Sequence, residues 1–453
     1  MLIRNISLSK SELNNLFSHL QSLLGAVLLD SASKQHDNSN FSVFAWQPKF
    51  LIQSSLTDTK VSQDGQIIET TDSDPLTVIE KYLKLADLSP LQNQLPFCGG
   101  AIGYWDYELG GRFERLPKPK SSDIDLPNMF IGIYDTLIVK DLKQGDVTFV
   151  CHRDDAESIF DNLIQLAKST KIEDSSFRLT SQWQSNMTSA QYADKFAQVQ
   201  EYLLSGDCYQ INLSQRFTAQ YQGNEWQAYQ KIRSQNAAPF SSFIRLQQGA
   251  VLSVSPERFV QVADDNIETK PIKGTRPRGN TVELDQQLAD ELQQAEKDRA
   301  ENLMIVDLLR NDISKVAVPG SVQVPKLFHI ESFPAVHHLV STVTATLKHP
   351  FTSIDLLRGA FPGGSITGAP KIRAMEIIHE LEPSPRSVYC GAIGYIKPNG
   401  DMDTNITIRT LVCNRGKMHC WAGGGLVADS NCDEEYQETL DKVNKILPIL
   451  TEA

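Results

Sequence analysis

Long hydrophobic runs are missing from this chain, and none approaches the ~18 apolar residues that a membrane-spanning helix needs. The opening residues, Met1-Leu2-Ile3-Arg4-Asn5, carry no apolar signal segment, so a cytoplasmic protein is expected. Positive charge is also short, with 43 Lys plus Arg against 55 Asp plus Glu and a net charge of −12. That balance argues against a nucleic-acid partner, which needs a basic face to neutralise phosphates. It leaves open a small anionic substrate, for which a few local cations suffice. Cysteine is sparse: seven residues, scattered and without a C-x-x-C pair. Reduced thiols fit that pattern better than a disulfide frame or a zinc knuckle. Internal repeats, heptads and low-complexity blocks are absent too.

What remains is an ordinary globular composition, 41% hydrophobic and 22% charged, over 453 residues. A chain this long buries a large core without covalent staples. Two regions differ in texture. Residues 1–180 read as short strands broken by polar loops, for example Phe97 to Tyr104 and Met129 to Val139. The polar segment Lys168 to Thr180 reads as a connection. Residues 181–453 alternate strong helices with strands. Thr188 and Gln191 form a capping box opening a helix with Tyr192, Phe196, Val199 and Leu203 on one stripe. Strands are expected over Tyr209 to Phe217, Ser242 to Val254, Arg258 to Val262, Gly391 to Tyr395, Asn405 to Cys413 and Met418 to Ala422. Helices are expected from Glu291 to Arg310 and from a cap at Ser430 to Asp433 towards Pro448. Strands clustered between outer helices indicate an α+β protein rather than a regular βαβ alternation.

Several constellations carry chemistry. Lys273, in Pro271-Ile272-Lys273-Gly274-Thr275, is placed to be a nucleophile, an anion contact or a solvated strand-end lysine. Glu257 sits in a turn after Pro256, where a carboxylate can act as general acid or base. Glu301 shares a helix face with Ile305 and Leu308, and a carboxylate on an apolar stripe needs a cation or an edge reaching water. Asp307 and Arg310 read as a surface ion pair. In the last helix Tyr436, Leu440, Val443 and Leu447 form the apolar stripe. Glu435, Glu438 and Lys442 share another flank, either a solvated face or a place for a cation. Three glutamates converging would suit Mg²⁺, which takes hard oxygen donors. Gly363 to Lys371 offers an anion cradle or an empty turn, and it lacks the G-K-[ST] ending of a nucleotide loop. Arg409 is expected in a strand beside Thr407, clamping an anion unless that face is solvated. His338 is a substrate donor or a core histidine.

These motifs occur in one order: Ser255-Pro256-Glu257-Arg258-Phe259, Pro271 to Thr275, Ala300 to Asp312, His338 to Ser341, Gly363 to Lys371, Ile408-Arg409-Thr410 and the terminal Glu435 to Thr439. The series closely resembles the chorismate-utilising family of anthranilate, aminodeoxychorismate, isochorismate and salicylate synthases. The resemblance implies one composite α+β fold, a large two-sheet β-sandwich flanked by helices. It covers a catalytic region at 181–453. The region 1–180, through Leu28-Leu29-Asp30-Ser31 and Gly99 to Tyr104, resembles the amidotransferase-linked members and is expected to supply partner-subunit contacts.

Lys273 selects the branch. Anthranilate synthases resemble this segment but carry alanine, as P-I-A-G-T, whereas P-I-K-G-T resembles the aminodeoxychorismate synthase large subunits. The isochorismate and salicylate branches place a water-activating lysine where this chain has Gln210. The resemblance therefore implies conversion of chorismate and ammonia to 4-amino-4-deoxychorismate, for p-aminobenzoate and folate synthesis. It gives Lys273 and Glu257 catalytic roles as nucleophile and general acid. It gives Glu301, Glu438 and Glu435 the role of Mg²⁺ ligands, and Gly274, Thr275, His338, Thr367, Tyr389, Arg409, Gly425 and Lys442 contact with substrate. A separate glutamine amidotransferase is expected to supply ammonia, since no G-x-C-x-G elbow is present here. Ser31 marks a candidate tryptophan pocket, and the L-L-D-S sequence departs from the L-L-E-S of feedback-inhibited members. Two alternatives stand beside this reading: anthranilate synthase component I, and a non-catalytic subunit that binds chorismate or tryptophan.

Overall fold

Neighbouring residues in the central strands enter different cores. Val27, Val43, Ile244, Val251 and Val412 join one apolar cluster, while Leu28, Phe44, Phe243, Leu252 and Leu411 join a second. Side chains of a strand point alternately to opposite faces, so strands apolar at every position are buried on both. A computed structural model of the chain describes residues 1–32, 40–88, 95–170, 176–333 and 336–451. Its strands form two large antiparallel sheets, of 13 and 12 strands among the described residues. The first cluster fills the space between the sheets. The second lies between the outer face of the 13-stranded sheet and helices including Lys10–Leu20, Ala156–Lys168 and Glu225–Asn236.

Both sheets draw on both ends of the chain. In the larger sheet Phe240–Leu246 pairs with Val27–Asp30 on one side and Gly249–Ser255 on the other. Thr410–Asn414, Lys417–Leu426 and Gln210–Gln222 follow in that order. In the smaller sheet Gly100–Trp105 lies beside Ala392–Ile396, Met402–Ile406 and Arg258–Ala263 come next, and Ile272–Pro277 ends the row.

Twice the chain leaves one sheet and enters the other at the same place. The step from Gly249–Ser255 to Arg258–Ala263 carries Glu257, and the step from Met402–Ile406 to Thr410–Asn414 carries Arg409. The two crossovers are tied together: Val254 N–H donates to the Arg409 carbonyl and Ile406 N–H to the Glu257 carbonyl, each at 3.1 Å. This pins two functional candidates side by side at the edge of the sandwich.

Several sequence expectations change here. The helix expected over 291–310 is two, Val282–Gln294 and Glu296–Ser314, because Ala295 is extended between them. Met129 to Val139, Ser242 to Val254 and Asn405 to Cys413 each split into two strands. Periodicity cannot see such breaks when both halves are equally apolar. The final long helix stops at Val443, and Leu447–Thr451 is a separate short helix. Capping signals were more reliable. The Thr188–Gln191 box opens Ser189–Leu204, and Asn431 caps Cys432–Val443. Within the polar connection, positions 171–175 lie outside the described residues.

Candidate active site

Burial dominates the chemistry of Glu257. Its side chain is nearly enclosed, and loss of water pushes its carboxyl up to about 7. The Ser365 hydroxyl, 2.9 Å from Oε1, and the Lys273 ammonium pull the other way. Such a group holds a proton near neutral pH and can release it.

Arg409 occupies a left-handed backbone conformation, φ 51°, in the second crossover rather than a strand position. Its side chain is half-buried, and desolvation lowers its pKa, with the charge of Glu257 opposing that effect. No hydrogen bond or ion pair engages it among the described residues. A half-buried guanidinium without a partner is suited to an anion that completes it.

Lys273, on the edge strand Ile272–Pro277, lies 4.0 Å from Glu301 Oε2, and the two side chains are only 13% and 16% exposed. Gly425 lets the floor of this space come close. A Cβ there would sit 2.2 Å from Gln210 Nε2 and 3.2 Å from Lys273 Nζ. Gln210 is fully buried, and neither of its amide atoms has a hydrogen-bond partner among the described residues.

Three glutamates border the same space. A Cβ on Gly424 would lie 3.0 Å from Glu435 Oε2 and 3.9 Å from Glu438 Oε1. Glu301 is pushed up by burial, with Lys273 and Lys297 lowering it and Glu435 raising it further. Each carboxylate has an ammonium beside it: Lys273 near Glu301, Lys297 at 3.4 Å from Glu435, and Lys442 at 2.5 Å from Glu438. No three His, Cys, Asp or Glu side chains form a closed metal cluster among the described residues. The donor set nevertheless fits Mg²⁺, a cation that binds through one or two carboxylates and keeps waters and substrate oxygens.

In the last helix Val443 is buried as expected, and Glu435 is not part of a solvated face. It is buried together with Thr439 and Val443, whereas Tyr436 and Leu440 are only half-buried. Glu435 faces inward while Glu438 and Lys442 on the same flank stay exposed, and the Ser430 hydroxyl donates to Glu435 Oε1 at 2.7 Å. Asp307 and Arg310 do pair, on the surface, at 2.6 Å.

The remaining candidates have diverse settings. His338 is buried, pushed down to about 3 by desolvation and then by Arg409, so it is a neutral imidazole. Its Nδ1 lies 2.9 Å from the Thr275 hydroxyl. Gly274 adopts φ +81°, and a Cβ there would meet Asp298 at 2.8 Å. Tyr389 stacks on Trp421 with ring centroids 6.1 Å apart. Lys442 also donates to the Gly423 carbonyl at 2.8 Å. Thr367 is fully buried, and its hydroxyl donates to the Gly363 carbonyl at 3.1 Å. The loop around it is buried throughout, so it offers no open anion cradle, and Lys371 is paired with Asp312 at 2.6 Å.

Residues 25–448 match the family described as chorismate binding enzyme. The chain belongs to that family. Aminodeoxychorismate synthase component 1 of Escherichia coli (strain K12) is 53% identical over 433 residues, 95% of this chain and 94% of its own. The protein of that name from Salmonella typhimurium is 51% identical over 432 residues, 95% and 94% of the two chains. Anthranilate synthase component 1 of Lactococcus lactis is further away, 36% identical over 432 residues, 93% and 94% of the two chains. The crystal structure of anthranilate synthase component I from Streptococcus pneumoniae TIGR4 matches with a TM-score of 0.80 at 32% identity, covering 91% and 93%.

A second cavity of this chorismate-binding enzyme, about 440 Å³, is lined by Ser31, Asp30, Phe41, Pro239, Phe240 and Lys270 among others. None of Lys273, Glu257, Glu301 or Arg409 lines it. Asp30 is tied to Arg233 and accepts from the Ser42 hydroxyl at 2.6 Å. Sequence reasoning passed over Ser365, Lys297 and the buried pair Glu382–Arg386 (2.7 Å). A serine among glycines reads as a turn residue, and nothing local reveals which distant carboxylate it will meet.

Proposed function

We propose that this enzyme is the chorismate-using component of an aminodeoxychorismate synthase. It would replace the C4 hydroxyl of chorismate by ammonia and keep the enolpyruvyl group, forming 4-amino-4-deoxychorismate for p-aminobenzoate and folate synthesis. The observation that carries this reading is the enclosed side-chain nitrogen of Lys273 between Glu301 and Gly425, at the position where the anthranilate branch has alanine.

In the proposed reaction Lys273, as its neutral amine, adds to C2 as the two ring double bonds shift and the C4–O bond breaks. Glu257 gives its proton to the departing hydroxyl, which leaves as water. Ammonia then adds at C4, the double bond returns, and the lysine is expelled from C2. The surplus proton on the new amine goes back to Glu257. Arg409 and Tyr389 would hold the enolpyruvyl carboxylate, with Lys442 as a second cationic contact. Gly274, Thr275, His338, Thr367 and Gly425 would line the pocket. Glu301 and Glu438, with Glu435, would hold Mg²⁺, which when bound would neutralise the ring carboxylate and orient the ring. Ammonia would come from a separate glutamine amidotransferase, contacting mainly residues 1–180. The cavity at Ser31 would take tryptophan without feedback control.

Anthranilate synthase is the second reading, favoured by the fold of the pneumococcal relative. Mass spectrometry of products from chorismate, ammonium and Mg²⁺ separates the two. Aminodeoxychorismate with no pyruvate is expected, and anthranilate with released pyruvate overturns the proposal. Tight chorismate binding without turnover would favour a non-catalytic subunit.

A further inference from the structure

Ser365 stands in the tight turn Gly364–Ile366, and its hydroxyl donates to Glu257 Oε1 at 2.9 Å across 108 residues of sequence. Both side chains are buried, 8% and 5% exposed. The turn reaches that position because its glycines have no side chains. A Cβ on Gly363 would lie 2.5 Å from Ile406 Cδ1, and one on Gly364 would lie 2.4 Å from Leu308 Cδ2. The backbone on either side is held as well. Arg386 Nη1 donates to the Ile366 carbonyl at 2.9 Å, and Thr367 Oγ1 donates to the Gly363 carbonyl at 3.1 Å. Ser365 thus approaches Glu257 from a fixed scaffold, and it is the one side chain hydrogen-bonded to that carboxyl among the described residues.

We propose that Ser365 is a positioning residue for the proton of Glu257. This rests on the reading of Glu257 as general acid. A hydroxyl that donates to Oε1 leaves Oε2 as the oxygen carrying the transferable proton, so the acid is offered in one orientation. The same bond is stronger to the carboxylate formed after transfer than to the neutral acid. Ser365 therefore limits how far burial raises the affinity of Glu257 for its proton. The other groups facing Glu257 are the Lys273 and Lys442 ammoniums, the Arg409 guanidinium, the Cys390 thiol and the Ile272 backbone N–H. Burial is the largest influence on the carboxyl, which sits at about 7, and Ser365 is the largest opposing one.

The test is the pH dependence of kcat/KM for chorismate at a fixed concentration of free ammonia, in the wild type and in Ser365→Ala, Ser365→Thr and Ser365→Cys. The wild type is expected to lose activity as pH rises through the titration of Glu257. In Ser365→Ala that limb should move up by roughly one pH unit, as expected for loss of a hydrogen bond to a charged group. Its kcat below the limb should fall about tenfold or more from lost orientation. Ser365→Thr keeps the hydroxyl and should restore the limb. Ser365→Cys keeps the packing with a weaker donor, shifts the limb the same way, and serves if the alanine variant fails to fold. A limb that stays in place or moves down in both the alanine and cysteine variants overturns the role of Ser365. A wild-type profile with no such limb, with Glu257→Gln fully active, instead overturns the reading of Glu257 itself.

Discussion

Lys273 Nζ faces Glu301 Oε2 at 4.0 Å, close enough for attraction and too far for a hydrogen bond. The ammonium is therefore held near a counter-charge while its donors stay uncommitted. Arg409, half-buried and without a side-chain partner among the described residues, shows the same arrangement. Lys273 and Arg409 are thus held in place without being paired off, whereas Lys442 is bound to Glu438 and to the Gly423 carbonyl.

Replacing Lys273 by alanine should abolish any covalent adduct. It should also cut aminodeoxychorismate formation by at least the ~10²–10⁴-fold that a positioned acid–base group supplies. Intact-protein mass spectrometry and product analysis read both effects. Wild-type rates with no adduct ever trapped would remove the nucleophile assignment.

Glu301→Gln keeps the size of the side chain and removes one negative oxygen from the proposed cation site. Calorimetric titration of the substrate-bound protein with Mg²⁺ should show affinity weakened by at least about tenfold. An unchanged titration would count against a ligand role.

Glu257 should make stability depend on pH. Its folded carboxyl lies at about 7, above the ordinary 4.5. The raised affinity stabilises the folded protein fully below pH 4.5, and that contribution is lost as pH rises through 7. At pH 8 the difference is on the order of 3 kcal/mol. Glu257→Gln, which does not titrate, should flatten this part of the Tm-against-pH curve. A parallel curve for both proteins would contradict the assignment.

Glu108 accepts the backbone N–H groups of Arg386 and Ser387, each at 2.8 Å, on the segment leading to Tyr389. Glu108→Ala leaves two donors unsatisfied and should destabilise the protein by about 2–6 kcal/mol. Urea denaturation measures this, and a loss under 1 kcal/mol would show that other acceptors take over.

Tryptophan should raise Tm without inhibiting turnover if it fills the cavity at Ser31. At one hundred times Kd the stabilisation is about 2.7 kcal/mol. Ser31→Phe should remove the shift by occupying the space, whereas inhibition by tryptophan would reveal regulation.

The sequence was most legible where local chemistry acts alone. The Thr188–Gln191 box and the Asn431 cap mark helix starts because capping involves only a few consecutive residues. Strand limits were less legible. Segments such as Ser242 to Val254 are buried on both faces, so no polar alternation marks where one strand ends and the next begins. Periodicity leaves Glu435 open, as part of a solvated face or of a cation site, for a related reason. Periodicity assigns the apolar stripe to the core, but here the core side of the helix is the site itself.

By itself the sequence determined which reactive groups exist and in what order, above all a lysine rather than an alanine at 273, and the family to which that order belongs. Only the tertiary structure decided which groups meet. Ser365 reaches Glu257, Gln210 reaches Gly425, and Arg409 is set in a left-handed turn rather than a strand. The physical reason is that these contacts depend on two antiparallel sheets pairing distant segments and on the two adjacent crossovers that carry Glu257 and Arg409. No residue's own neighbours in sequence encode that arrangement.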